Sequence, residues 1–146
     1  MGPRKKQPWL GSLPPKEQPR AANNPADVNK RHPVWRLKHA DLEGPYGWKN
    51  ACQADLLRIF ARLRDLESMT WGEIEKGKSN GFMDASAICK EAQDRLREIK
   101  RDTQDTLFKL RVTQSGRLWG VRWEHVFDFL WWDPDHKVYP MNIADN

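Results

Sequence analysis

The stretch from Thr106 to Pro140, TLFKLRVTQSGRLWGVRWEHVFDFLWWDPDHKVYP, constrains the fold more than any other part of the chain. Its runs of Leu, Val, Phe and Trp are separated by Gln114-Ser115-Gly116 and by Trp123-Glu124-His125, spacings that suit tight connections between antiparallel strands. A further short run follows Asp133-Pro134-Asp135, so the pattern predicts a β-meander of about four strands. Side chains alternate along a strand, which puts Phe108, Leu110 and Val112 on one face and Lys109, Arg111 and Thr113 on the other. The first face is expected to be core and the second a basic surface. Trp131 and Trp132 fall on opposite faces, one for the core and one for a base or a partner's helix.

Helices are expected ahead of the meander. Cys52, Leu56, Ile59, Phe60, Leu63 and Leu66 recur at helical spacing over residues 51–67, and this stripe should dock on the sheet. Thr70-Trp71-Gly72-Glu73 has the capping-box form, in which a Thr hydroxyl and a Glu carboxylate satisfy each other's backbone N–H groups, so a second short helix should begin there. A third, about 86–100, is expected to be capped by Asp84 or Ser86 and to bury Ile88, Cys89, Ala92, Leu96 and Ile99. Residues 34–50 read as an extended arm, with Val34–Lys38 as a short edge strand and Trp48 as an anchor. Helices followed by consecutive strands give an α+β class, with N-terminal helices packed on one face of a C-terminal antiparallel meander. Gly77-Lys78-Ser79 lacks the glycine spacing and the preceding strand of a phosphate-binding loop and is read as a plain loop.

Residues 1–33 carry seven of the ten prolines and no hydrophobic periodicity, so they are expected to be a disordered basic tail. One domain should follow over 34–146, made of the arm at 34–50, helices at 51–100 and the sheet at 106–140. Charge follows the same division. The first 40 residues hold nine Lys/Arg against Glu17 and Asp27, a net of +7, and the rest hold 16 against 18, a net of −2. The excess positive charge belongs to the N-terminal part, which argues against a folded region that binds nucleic acid through bulk charge. Cys52 and Cys89 form neither a CxxC pair nor a Cys/His cluster, so no disulfide framework, metal or cofactor is expected. No apolar run approaches the roughly 20 residues needed to span a bilayer, and the basic, Pro-rich start is unlike a secretory signal. A cytoplasmic, reducing setting is the expectation.

The segments Phe108-Lys109-Leu110-Arg111, Gly116-Arg117-Leu118-Trp119, Val126-Phe127-Asp128-Phe129-Leu130 and His136-Lys137-Val138-Tyr139 follow a helical pair. Over about residues 50–140 this arrangement resembles the RelE/ParE superfamily of toxins from type II toxin–antitoxin systems. The resemblance implies one of two activities: RelE-like members cut mRNA in the ribosome, and ParE-like members inhibit DNA gyrase by binding. For the nuclease it implies that Lys109 orients or deprotonates the attacking 2′-hydroxyl and that Arg117 stabilises charge on the scissile phosphate. His136 and Tyr139 would supply acid, base or stacking groups; from the strand pattern itself, Arg111 and Arg122 would join Lys109 and Arg117 around one phosphate if the strands pair in register, with Lys137 a further phosphate contact. The resemblance also implies a cognate antitoxin as partner.

The chemistry can be stated without the resemblance. Cleavage of RNA through its own 2′-hydroxyl needs a proton acceptor, a proton donor and cations around the phosphorane oxygens, and no metal. Arg suits the phosphate because its planar fork donates two parallel hydrogen bonds, and His suits proton transfer near neutrality. The competing reading is structural. An exposed sheet face commonly carries Lys and Arg, a lone His after a turn is commonly structural, and Asp128 would pair with Arg117 or Arg111 across the sheet. Two further functions compete with the nuclease: a non-catalytic inhibitor of a replication protein such as gyrase or a polymerase accessory factor, and a prophage-derived protein with the fold and no activity.

Overall fold

A computed structural model of the chain describes residues 25–140. Most of the expected tail, residues 1–24, and the C-terminal residues 141–146 lie outside the described residues. The class is α+β. Strands β1 (Val34–Arg36), β2 (Gly81–Asp84), β3 (Thr106–Arg111), β4 (Arg117–Trp123) and β5 (Val126–Asp133) form one sheet in the order β1-β5-β4-β3-β2. The meander is its centre: β3, β4 and β5 pair antiparallel through the two predicted turns. Two features differ from the expectation. β1 pairs parallel with β5, and β2 adds a second edge on β3. Among the described residues the sheet therefore has five strands and is mixed, and the run after Pro134 contributes none of them. β2 escaped notice because Gly81-Phe82-Met83-Asp84 is short and ends in residues depleted from strands; its pairing with β3 defines it.

Four helices are described: α1 (Pro25–Val28), α2 (Gln53–Glu67), α3 (Trp71–Glu75) and α4 (Lys90–Glu98). The capping box at Thr70 and Glu73 forms as expected, and a second one forms at α2, where the Cys52 sulfur accepts from Asp55 N and the Asp55 carboxylate accepts from Cys52 N. α4 starts later than predicted. Ala85–Ala87 is a single 3₁₀ turn, and Cys89 N donates to Val138 O, which ties the start of α4 to the chain beyond β5. Residues 29–31 are also tied in, since Asn29 O and Arg31 O accept from Gly72 N and Trp71 N of α3.

Helices cover both faces of the sheet, and this overturns the single-faced arrangement. On one face Ile59, Leu63 and Leu66 of α2 and Trp71 and Ile74 of α3 pack on Phe108, Leu110, Leu118, Phe127, Phe129 and Trp132. On the other, Ile88, Ala92 and Leu96 from around α4 pack on Leu107, Trp119, Leu130 and Trp131, with Tyr46 and Val138 closing the cluster. Both Trp131 and Trp132 are buried, so neither is left for a base. A bulge explains the assignments in β5. Trp119 pairs with Trp131 but Gly120 pairs with Phe129, so Leu130 is the extra residue. Leu130 and Trp131 consequently share a face although they are sequence neighbours. A Cβ on Gly120 would lie 2.4 Å from Asp128 O, so only glycine fits opposite the bulge.

The expected α2 stripe is only half used. Ile59, Leu63 and Leu66 are buried, but Leu56 and Phe60 stay exposed. With Leu37, Ala40, Leu42, Trp48 and Phe129 they line an apolar groove of about 260 Å³. Among the described residues no helix is long and apolar enough to cross a membrane.

Candidate functional site

The face expected to be open and basic is largely closed. Lys109 is buried, its ammonium 5.6 Å from the centre of the Tyr139 ring, and it has no carboxylate partner among the described residues. Burial, and then the charge of Arg117, push its pKa below the usual lysine range. Arg117 is wholly buried at the start of β4, where Nη1 donates to the carbonyls of Thr113 (3.0 Å), Gln114 (3.1 Å) and Gly116 (3.1 Å) and so closes the β3–β4 turn. Its Nε and Nη2 have no partner. Burial, and then the charge of Arg111, lower its pKa, and Asp133 opposes them. Asp133 neutralises little else, because its two oxygens already accept from Lys137 N and Val138 N at 2.9 Å each. Lys109, Arg111, Arg117 and Tyr139 thus share one corner, in which three cations meet a single carboxylate.

The other expected residues lie apart from that corner. Arg122 is on the opposite face, its guanidinium 4.1 Å from the Trp71 ring centre and ion-paired with Glu75, so it is removed from any phosphate near Lys109. His136 is buried with a left-handed φ of 61°, and neither ring nitrogen has a partner. That backbone is uncommon for a non-glycine residue and places the ring within the turn that follows β5. Lys137 is exposed, 3.9 Å from Asp135.

A lysine buried without a counter-charge costs stability, because desolvation favours its neutral form. Lys109→Met should therefore raise stability by about 1–2 kcal/mol and Tm by roughly 5 °C. The folded pKa lies below the unfolded value of about 10.4, so between the two the unfolded chain binds more protons and wild-type stability rises with pH. The advantage of the variant should shrink as pH rises through that window, which thermal melts at pH 7 and pH 10 would read directly.

Comparison with protein-family models, curated proteins and solved structures finds no match.

One cluster was not anticipated from the sequence. Asp128 pairs with neither Arg117 nor Arg111. Its Oδ2 accepts from His39 Nδ1 at 2.6 Å, with Arg36 Nε and Arg101 Nη2 each 4.0 Å away. His39 and Asp128 are 89 residues apart, and they meet because β1 lies in parallel register with β5, Arg36 opposite Asp128. Asp128 Oδ1 and Arg101 Nε are buried without partners. The only advance signal was a polar residue in the middle of an otherwise apolar strand. Among the described residues no group of three or more His, Cys, Asp or Glu is placed to hold a metal ion.

Proposed function

We propose that the chain is a RelE-like endoribonuclease, the toxin of a type II toxin–antitoxin pair, that cuts mRNA without a metal. The observation that carries the reading is the Lys109 corner: a desolvated amine with a lowered pKa beside a second buried cation, with an aromatic ring at its edge. A lysine whose pKa is lowered by burial gives up its proton more readily and is suited to act as a general base, here taking the proton of a 2′-hydroxyl. Arg117 is too enclosed to clasp a phosphate; its part is to hold the β3–β4 turn and, by its charge, to keep the Lys109 pKa low. Exposed Arg111 and Lys137 and half-buried Tyr139 are the groups available to an RNA strand; of the expected acid groups Tyr139 lies beside Lys109 and is the proton donor of this mechanism, whereas buried His136 stays within the turn after β5. A protein antitoxin is the partner in this reading, and the cytoplasm its setting.

Induction in a bacterial host tests it. Growth should stop, mRNA should be cleaved, and Lys109→Met, which is expected to be more stable than wild type, should restore growth. That pairing separates loss of chemistry from loss of fold. Intact mRNA in growth-arrested cells would instead favour the inhibitor of a replication protein, and normal growth with soluble, folded protein would favour the inactive prophage-derived protein.

A further inference from the structure

The apolar stripe of α2 is wider than the surface that covers it. At about 100° per residue, Ile59, Leu56, Phe60 and Leu57 follow one another around the helix and together span about 160°. Ile59 is buried and packs on the sheet, whereas Leu56, Phe60 and Leu57 are 38%, 62% and 63% exposed. Leu37 and Leu42, from the arm between β1 and α2, are 65% and 57% exposed and line the same groove as Leu56 and Phe60.

These five side chains present about 500 Å² of apolar surface in one patch, more than a soluble monomer commonly leaves open. The shape of the patch is as informative as its area. Leu57 does not line the groove; it projects beside Phe60, one step further round the helix. A protruding leucine and a groove of about 260 Å³ therefore lie side by side. A two-fold axis needs that arrangement, because each copy must supply the knob that fills the other's hole. Such an axis also brings like residues together, so a rim of a single charge would repel. Here Lys49 is paired with Glu43 and Arg58 with Asp55, and the patch is flanked by both signs. Two patches face to face, with their polar rims, would remove about 1,200 Å² from water, the lower end of the range for specific dimers.

We propose that this patch is a two-fold interface between two copies of the chain, in which Leu57 of each copy enters the groove lined by Trp48 and Phe60 of the other. The second copy completes the cover that the sheet gives only to the Ile59 side of α2. None of the residues of the Lys109 corner takes part, so the dimer stands apart from the proposed nuclease.

Sedimentation equilibrium of the full chain tests it over about 1–300 µM, a range that brackets the micromolar affinity expected of an interface of this size. The wild type should pass from monomer to dimer within that range, and Lys109→Met should do the same. Leu57→Asp should raise the dimer Kd at least about 100-fold, because each dimer buries the residue twice. Leu57 is mostly exposed in one copy, so Leu57→Asp should melt with the dilute wild type, and Leu57→Met should still dimerise. In a dimer of one isotope-labelled and one unlabelled copy, NMR cross-peaks should join the Leu57 methyl groups of one to the Trp48 ring of the other. A monomer throughout would overturn the interface, whether the groove is then filled by Trp9 and Leu10 of the same chain or by a different protein. A dimer whose Kd is unchanged by Leu57→Asp, or one without the Leu57–Trp48 cross-peaks, would overturn it equally.

Discussion

Asp41→Ala should lower the unfolding free energy by about 3–5 kcal/mol and Tm by roughly 10–20 °C. Asp41 is buried where the arm meets both α4 and β5. Its carboxylate accepts from Arg95 Nε at 2.9 Å and Nη2 at 2.8 Å, from Trp131 Nε1 at 2.9 Å, and from Gly44 N at 3.2 Å. Removing it strands a guanidinium that is mostly buried and an indole N–H that is wholly so, and the cost of breaking such a network is far above that of a surface pair. Lys49–Glu43, 3.2 Å apart in the same arm but mostly exposed, is the contrast: Glu43→Ala should cost no more than about 1 kcal/mol. Acid should narrow the difference between Asp41→Ala and wild type. Burial alone would push the Asp41 carboxyl up, but its bonds to Arg95, Trp131 and Gly44 and the charge of Arg95 hold it below the usual carboxylate range. A folded pKa under the unfolded value of about 3.9 gives stability that is present above that value and is lost as pH falls through the folded one. Urea denaturation at neutral pH and near pH 3 reads both effects.

Trp71→Ala should cost a similar amount, about 3–5 kcal/mol, as deletion of a fully buried aromatic does. Trp71 opens α3, donates Nε1 to His125 O at 2.9 Å, and meets Phe108 edge-on at 5.4 Å. It also covers Arg122, whose side chain is almost completely enclosed and would keep Glu75, the Glu124 carbonyl and the Phe82 and Phe108 rings but lose its nearest ring to a cavity. Trp71→Phe keeps a ring over the guanidinium and loses only the indole bond and some volume, so it should cost about 1–2 kcal/mol. A denaturation midpoint that moves by these amounts at constant m would separate loss of packing from a change in the unfolded chain.

The parts of the molecule legible in the sequence are those fixed by local rules. The two turns of the meander, the Thr70–Glu73 cap and the apolar spacing of Ala92 and Leu96 each depend on neighbours within a few residues. Faces and partners depend on topology. Period two placed Phe108 and Leu110 correctly in the core but read Lys109 as solvent-facing, because nothing local reveals that α4 covers the second side of the sheet. Lys109 and Arg117 follow from register, since Arg111 sits opposite Arg117 and Lys109 opposite Trp119. Their burial does not. His39 and Asp128 lay beyond reach, because their meeting requires a parallel pairing that no turn encodes.

That pairing also has a consequence for the order of events in folding. Val34 lies opposite Val126, so the two strands close a loop of about 90 residues, at an entropic cost of roughly 4 kcal/mol beyond the constant term. Antiparallel β3–β4–β5 can zip locally through short turns, but the edge of β5 stays unpaired until the distant β1 arrives. During synthesis Arg36 leaves the ribosome long before Asp128 exists. The Val126–Trp132 run, in the most apolar of the described strands, is therefore the last of those strands to emerge and the last to be shielded. Substitutions in Val34–Arg36 should accordingly speed unfolding more than they slow the formation of the meander.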